Sequence, residues 1–239
     1  MATVHRSTPP AVREPAPRSN VRGQAGLVAG IALALMAVLG AWANFGAITP
    51  LIAAGDAAGT AENIAAAEPL FRAGIGAMLL VAVLDIIVAI AVFMMFEPVS
   101  RGVALASAAF RVAYAAGLVA ALGQLATVPA LLDIPEQAMR AFEVYNATWQ
   151  VSLVLFAIHL LLIGYLGFRS GFMPRIFGVL LVLAGLGYLA DGIGFLLVPD
   201  FSPTFALFTF IGEVALIFWL LISGRRLSDR AIAGASHDV

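Results

Sequence analysis

The sequence predicts an all-α, polytopic transmembrane bundle of six spans with both termini cytoplasmic, and three observations carry that reading. Of 239 residues, 62% are hydrophobic and only 11% charged. The mean hydropathy is +1.01, and a soluble domain would carry roughly 25% charged residues. Apolar runs of the roughly 20 residues that a bilayer-crossing helix needs recur six times. Arginines gather in alternate connections, as expected where cytoplasmic loops hold the basic excess.

The elements follow in order. Residues 1–22, MATVHRSTPPAVREPAPRSNVR, are rich in proline, arginine and small polar residues. They read as a disordered cytoplasmic tail, because such a composition cannot bury enough apolar surface to fold. A six-span transmembrane domain is then expected over 23–224, followed by a short cytoplasmic tail at 225–239. The spans fall near 24–46, 70–96, 102–130, 147–168, 174–198 and 204–223. Ala41-Trp42-Ala43 has the small-residue pattern of a signal-peptidase site. The apolar run continues past it through Phe45 and Ile48, so the segment reads as an uncleaved span. The outer loops near 47–69 and 131–146 have room for short surface helices, and DIPEQAMRAFEVYN opens with a cap and a proline. Tyr145 and Trp149 then fall at the outer interface, where amphipathic rings anchor.

Arginine placement sets the orientation. With the amino terminus inside, the inner segments hold Arg6, Arg13, Arg18, Arg22, Arg101, Arg169, Arg175, Arg225, Arg226 and Arg230. Arg72 and Arg140 fall outside, among Asp56, Glu62, Glu68, Asp133, Glu136, Glu143 and Asp200.

Composition also excludes chemistry. Without cysteine there are no disulfides, thiolate metal sites or cysteine nucleophiles. All 13 basic residues are arginine, so Schiff-base chemistry, a retinal linkage and a phosphate-loop lysine are absent. A net charge of -1, with no basic polar face, gives no nucleic-acid partner.

Five ionisable residues stand inside the spans: Asp85, Arg111, His159, Asp191 and Glu213. Each costs roughly 2.5 to 3.5 kcal/mol on insertion scales, so such groups face the bundle interior and find partners. Asp85 counted from Glu97, Arg111 from Arg101, His159 from Arg169 and Glu213 from Arg225 all come out roughly 15 to 18 Å deep. That common level is the bilayer midplane. Helical spacing adds Ser107 and Tyr114 to the Arg111 face, Thr209 one turn before Glu213, and Ser152 two turns before His159. A more external level holds Asn44, Arg72, Gln124, Gln150 and Asp191, outlining an outer polar path toward the midplane.

Structural readings stand beside these. Asp85 with Arg111 reads equally as a buried ion pair that fixes the packing of adjacent spans. Arg72 reads as an interfacial anchor. Asp191, within GLGYLADGIG, can accept hydrogen bonds from a helix that small residues let approach. His159 alone reads as a hydrogen-bonded core histidine, and GLVAG, Gly26 to Gly30, offers a small-residue face for helix pairing. One buried histidine without HExxH does not make a metal site, and paired-histidine haem ligation is unsupported. No catalytic residues emerge: Ser170 lies at the edge of its span, and Asp85 and Asp191 differ in depth by about 7 Å. Enzyme activity is left open, with the balance against it. Spans one to three and four to six each hold an aspartate in their middle helix, as an inverted repeat would, but the halves share nothing further.

GDAAGTAENIAAAEPLFRAGI, then LLVAVLD and EPVSR, resembles the opening half of the bacterial membrane family known as domain of unknown function 4386. HLLLIGYLGFRSGFMPRIFGVLLVLAGLGYLAD resembles its central signature and IGEVALIFWLL its closing span, so the likeness covers roughly residues 24–223. The pattern matches at Arg72, Asp85, Arg111, His159, Arg169, Ser170, Gly171, Pro174, Arg175, Asp191 and Glu213, and implies no role for any of them. Arg169 and Arg175 make physical sense as cytoplasmic anchors, with Pro174 suited to the first turn of the fifth span.

The functional expectation is binding or passage of a small solute or protons through a midplane cluster of Asp85, Arg111, His159, Glu213 and Tyr114, reached past Arg72, Gln124, Gln150 and Asp191. The alternative is a non-catalytic accessory or sensor protein whose buried charges only specify helix packing. Membrane lipids and a small-molecule or ion ligand are the expected partners, in a bacterial plasma (inner) membrane. The sequence names neither a cofactor nor an oligomeric state.

Overall fold

The computed structural model describes the backbone of residues 18–199, 201–205 and 211–235, and side chains over 22–199, 201–205 and 211–223. The described residues are helical, with no strand among them. Helix α1 is Arg18–Ala41, α2 Ala57–Ala66, α3 Glu68–Phe96, α4 Arg101–Leu125, α5 Pro135–Arg169, α6 Arg175–Leu197 and α7 Ile211–Ala235. Five helices are long and apolar enough to cross a membrane: α1 with its continuation to Leu51, α3, α4 with its continuation to Ala130, α5 and α6. The sixth apolar stretch is shorter in the described part, Ile211–Ser223.

Several boundaries depart from the sequence-based expectation. Helix α1 begins at Arg18, inside the stretch read as a tail, and continues beyond Ala41 as a π-helical segment, Trp42–Ile48. The fourth span and the surface helix expected before it are one continuous helix, because nothing between Pro135 and Arg169 breaks it. Its N-cap is Ile134 without a side-chain cap, and Pro135 takes the first helical position. Pro174 is itself the N-cap of α6 rather than part of its first turn. The other outer loop does hold a short helix, α2, capped where Asp56 Oδ1 accepts from Gly59 N at 2.9 Å.

The long helices close into a ring in chain order. Helix α1 packs on α3, α3 on α4, α4 on α5, α5 on α6 and α6 on α7, and α7 returns to α1. Inward seams repeat at alternating steps of three and four, the spacing that keeps one stripe facing a left-handed partner. On α3 the seam is Phe71, Gly74, Met78, Val81, Asp85, Val88, Val92 and Met95; on α4 it is Ser107, Arg111, Tyr114, Leu118 and Leu125. On α5 it is Tyr145, Ser152, Phe156, His159, Ile163 and Leu166. The opposite faces present large apolar side chains, such as Leu79, Val83, Ile86 and Ile90 on α3, as a lipid-facing surface does.

Small residues set the closest approaches. Gly178, Gly185 and Gly192, seven residues apart on α6, lie against Gly164, Ala157 and Val154 of α5. Gly30 meets Leu220 and Leu221 of α7, so the GLVAG face closes the ring within this chain. Alpha-5 ends at a Ser170 cap followed by Gly171 at φ 70, a left-handed position that glycine takes without steric cost. The Ser170 hydroxyl donates to Gly167 O at 2.8 Å and accepts from Met173 N at 3.2 Å, tightening the turn.

A Cβ at position 178 would stand 2.6 Å from Phe168 N and 2.7 Å from Gly164 O, both backbone atoms. Gly178→Ala is therefore expected to destabilise the bundle by about 1 to 3 kcal/mol. Gly76→Ala, with nothing within 4 Å, should cost nothing. Thermal unfolding of the purified variants in one detergent compares them, and equal losses would contradict the close-approach account.

Candidate functional site

The polar centre is assembled by three neighbouring helices. Asp85 on α3, Arg111 on α4 and His159 on α5 are 0%, 3% and 2% exposed, and all occupy seam positions. Arg111 holds the three together. Its Nη2 lies 2.6 Å from Asp85 Oδ1, and its Nη1 donates to His159 Nε2 at 3.0 Å. Since a guanidinium only donates, Nε2 must be the acceptor, which leaves the proton on Nδ1. That nitrogen donates toward Ser107 O at 3.0 Å, with Ser107 Oγ 2.8 Å away. The Ser107 hydroxyl in turn donates to His159 O at 3.4 Å. The imidazole is thus gripped at both nitrogens by one helix, through two residues a turn apart.

Phe156 is the floor of this centre. Its ring lies 5.3 Å from Arg111 Cζ, 5.8 Å from the His159 ring and 4.9 Å from the Tyr114 ring. Tyr188 of α6 meets it edge-on at 5.3 Å. Tyr114 also accepts a hydrogen bond from Trp149 Nε1 at 3.4 Å. Glu213 on α7 joins from the far side: its carboxylate pairs with the Tyr188 hydroxyl and feels the charges of Arg111 and Asp85. Thr209, expected one turn before it, lies outside the described residues.

Several polar atoms here keep unmet capacity. The Asp85–Arg111 contact engages Oδ1 alone, and Asp85 Oδ2 has no hydrogen-bond donor. Arg111 Nε and Glu213 Oε1 are likewise shielded and unpartnered. Buried polar groups in this condition cost about 1 to 3 kcal/mol each, more when charged.

The outer residues are placed differently from the path expected. Arg72 is surface-exposed and pairs with Glu68 at 2.6 Å within the first turns of α3. Gln124 is exposed and Gln150 half-buried. Asp191 is buried, and its Oδ1 accepts from Thr204 N at 2.9 Å and Phe205 N at 3.0 Å, fastening the segment that leads to α7. Asn44 bridges α1 to α3, donating to Gly40 O at 3.0 Å and reaching Met78 Sδ at 3.6 Å. Ser152 donates to Thr148 O at 2.7 Å and is packed on Gly117. Tyr145, expected as an interfacial anchor, is 1% exposed and stacks on Trp149 at 5.9 Å, because its position on the inward seam of α5 turns it into the core. Phe156 and Tyr188 were not among the expected site residues. The seam spacing from Tyr145 through Ser152 to His159 would have marked Phe156. No group of three or more histidine, cysteine, aspartate or glutamate side chains suited to a metal ion occurs among the described residues.

Ring closure by long apolar helices with a buried ionic centre defines the class: a multi-helix protein with the dimensions and composition of a membrane protein. The chain belongs to the family described as "Domain of unknown function (DUF4386)", which matches residues 28–224. It is 32% identical over 162 residues to an uncharacterised protein of Archaeoglobus fulgidus, covering 68% of this chain and 90% of that one. That relative is archaeal, so the likeness reaches beyond the bacteria to which the family pattern was assigned from sequence. No solved structure matches.

Removing one partner of the ion pair strands a buried charge, so Arg111→Met is expected to cost about 3 to 5 kcal/mol. Asp85→Leu should cost a similar amount, and the double variant Asp85→Leu/Arg111→Met less than either alone. A double-mutant cycle on unfolding free energies measures this. Additive losses would show that the two side chains do not depend on each other.

Proposed function

We propose that the chain crosses the plasma membrane six times, with both termini cytoplasmic, and binds or passes protons or a small polar solute at the Asp85–Arg111–His159–Glu213 centre. The observation that carries this is unmet polar capacity on three different helices: Asp85 Oδ2, Arg111 Nε and Glu213 Oε1 are shielded and have no hydrogen-bond partner. In a lipid-surrounded interior such atoms are costly unless something polar visits them. Arg111 supplies a fixed positive charge, Asp85 balances it, and Glu213 with Tyr188 and Tyr114 supplies exchangeable protons beside it. The six-crossing arrangement draws support from the meeting of Arg22, Met95, Phe172, Leu220 and Ser223 around one small pocket, which puts the start of α1 and the described part of α7 at the same end. That placement is in keeping with an even number of crossings. Arg101, Arg169 and Arg175 belong to this end too, in keeping with a cytoplasmic face.

A second reading is favoured by the pairing itself. Asp85 and Arg111 neutralise each other across α3 and α4, and His159 ties α5 to α4, so the centre can serve as a register device in an accessory or sensor protein.

Proton flux into vesicles that hold the protein and a trapped pH dye separates the readings. Flux above that of protein-free vesicles is expected, and Glu213→Gln and His159→Ala should return it to the protein-free level while the helical circular dichroism is kept. Wild-type flux equal to that of empty vesicles, with both substitutions lowering only the Tm, would establish the register reading instead.

A further inference from the structure

A sizeable cleft lies away from the polar centre, at the turn between α5 and α6. It has a volume of about 490 Å³ and is lined by Phe168, Arg169, Gly171, Met173, Pro174 and Arg175. Two arginines thus flank one cleft. Among the described residues neither has a carboxylate partner, whereas Arg72, Arg101 and Arg111 are each paired with Glu68, Glu97 and Asp85. Both are held by aromatic neighbours instead. Arg169 Nη1 donates to the Tyr165 hydroxyl at 3.2 Å and its Cζ lies 5.7 Å from that ring, while Arg175 Cζ lies 5.4 Å from the Phe168 ring. Stacking of this kind orients a guanidinium while leaving donors free. The φ of 70 at Gly171 folds the turn so that both arginines reach one opening, and α6 begins at Arg175, adding the positive end of its dipole.

We propose that this cleft binds the phosphate headgroup of an anionic phospholipid. The charge calls for a phosphate, and paired guanidinium groups suit its oxygens. The surroundings call for a lipid: Tyr165, Phe168, Ile176 and Val179 are 46%, 48%, 57% and 43% exposed on the helix faces running away from the cleft, where acyl chains would lie. A soluble phosphate compound would leave that apolar rim uncovered. A zwitterionic headgroup would bring a third positive charge to a site that already has two. The inference is independent of the polar centre, which lies about 15 Å along α5 from Arg169.

The full chain is reconstituted in nanodiscs of phosphatidylcholine with increasing phosphatidylglycerol, and lipids retained on gentle release are counted by native mass spectrometry. Preferential retention of phosphatidylglycerol and a rise in Tm with its mole fraction are expected. In Arg169→Gln/Arg175→Gln the apparent affinity should fall about thirtyfold, at roughly fivefold per arginine near an anionic surface. Arg140→Gln, near the opposite end of α5, should match the wild type. Single Arg169→Gln and Arg175→Gln variants with partial losses keep the test readable if the double variant folds poorly. Equal retention of both lipids, wild-type affinity in the double variant, or the same stabilisation by inorganic phosphate as by phosphatidylglycerol would each overturn the proposal.

Discussion

Arg111 carries a full charge into the buried interior of the bundle, and the packing around it answers that fact. One guanidinium reaches Asp85 on the preceding helix and His159 on the following one. Helix α4 is thereby bonded to both neighbours at a single height. A bundle of apolar seams leaves rotation and axial shift weakly specified, because one apolar side chain of similar size substitutes for another at small cost. A charged contact at 2.6 Å tolerates no such slip, since a one-turn shift would strand the charge.

The histidine shows how the specification extends. Arg111 fixes which nitrogen accepts, so the other must donate, and the Ser107 carbonyl and hydroxyl receive it. The aromatic floor of Phe156, Tyr114 and Tyr188 then separates the triad from Glu213 without insulating it electrostatically. Glycines do the complementary work elsewhere. Where α5 meets α6 the backbones touch through Gly164 and Gly178, so contact there rests on dispersion and shape rather than charge.

Much of this was legible beforehand because lipid imposes simple rules. Apolar run length marked the long helices, and the insertion penalty singled out Asp85, Arg111, His159 and Glu213 as inward-facing. Asp85, Arg111 and His159 can meet at one height because each α-helix rises by the same amount per residue. The errors have equally physical causes. Depth alone points to an interfacial Tyr145, and depth says nothing about which way a side chain points. Arg72, Gln124, Gln150 and Asp191 share an approximate level but not a face. Asp191 is engaged by Thr204 and Phe205 because the chain doubles back there, which no local pattern encodes.

Composition and periodicity alone determined that the chain forms long apolar helices, that ionisable groups in the middle of those helices turn inward, and which chemistries its missing cysteine and lysine exclude. Those properties are additive over single residues and their solvent, so one chain suffices to read them. Tertiary structure decided who meets whom: that α7 closes onto α1, that Arg111 spans two helices while Glu213 finds Tyr188, and that two arginines without a carboxylate partner among the described residues share one cleft. Pairings depend on helix rotation and on backbone approach at a few glycines, quantities set by all the packed neighbours together.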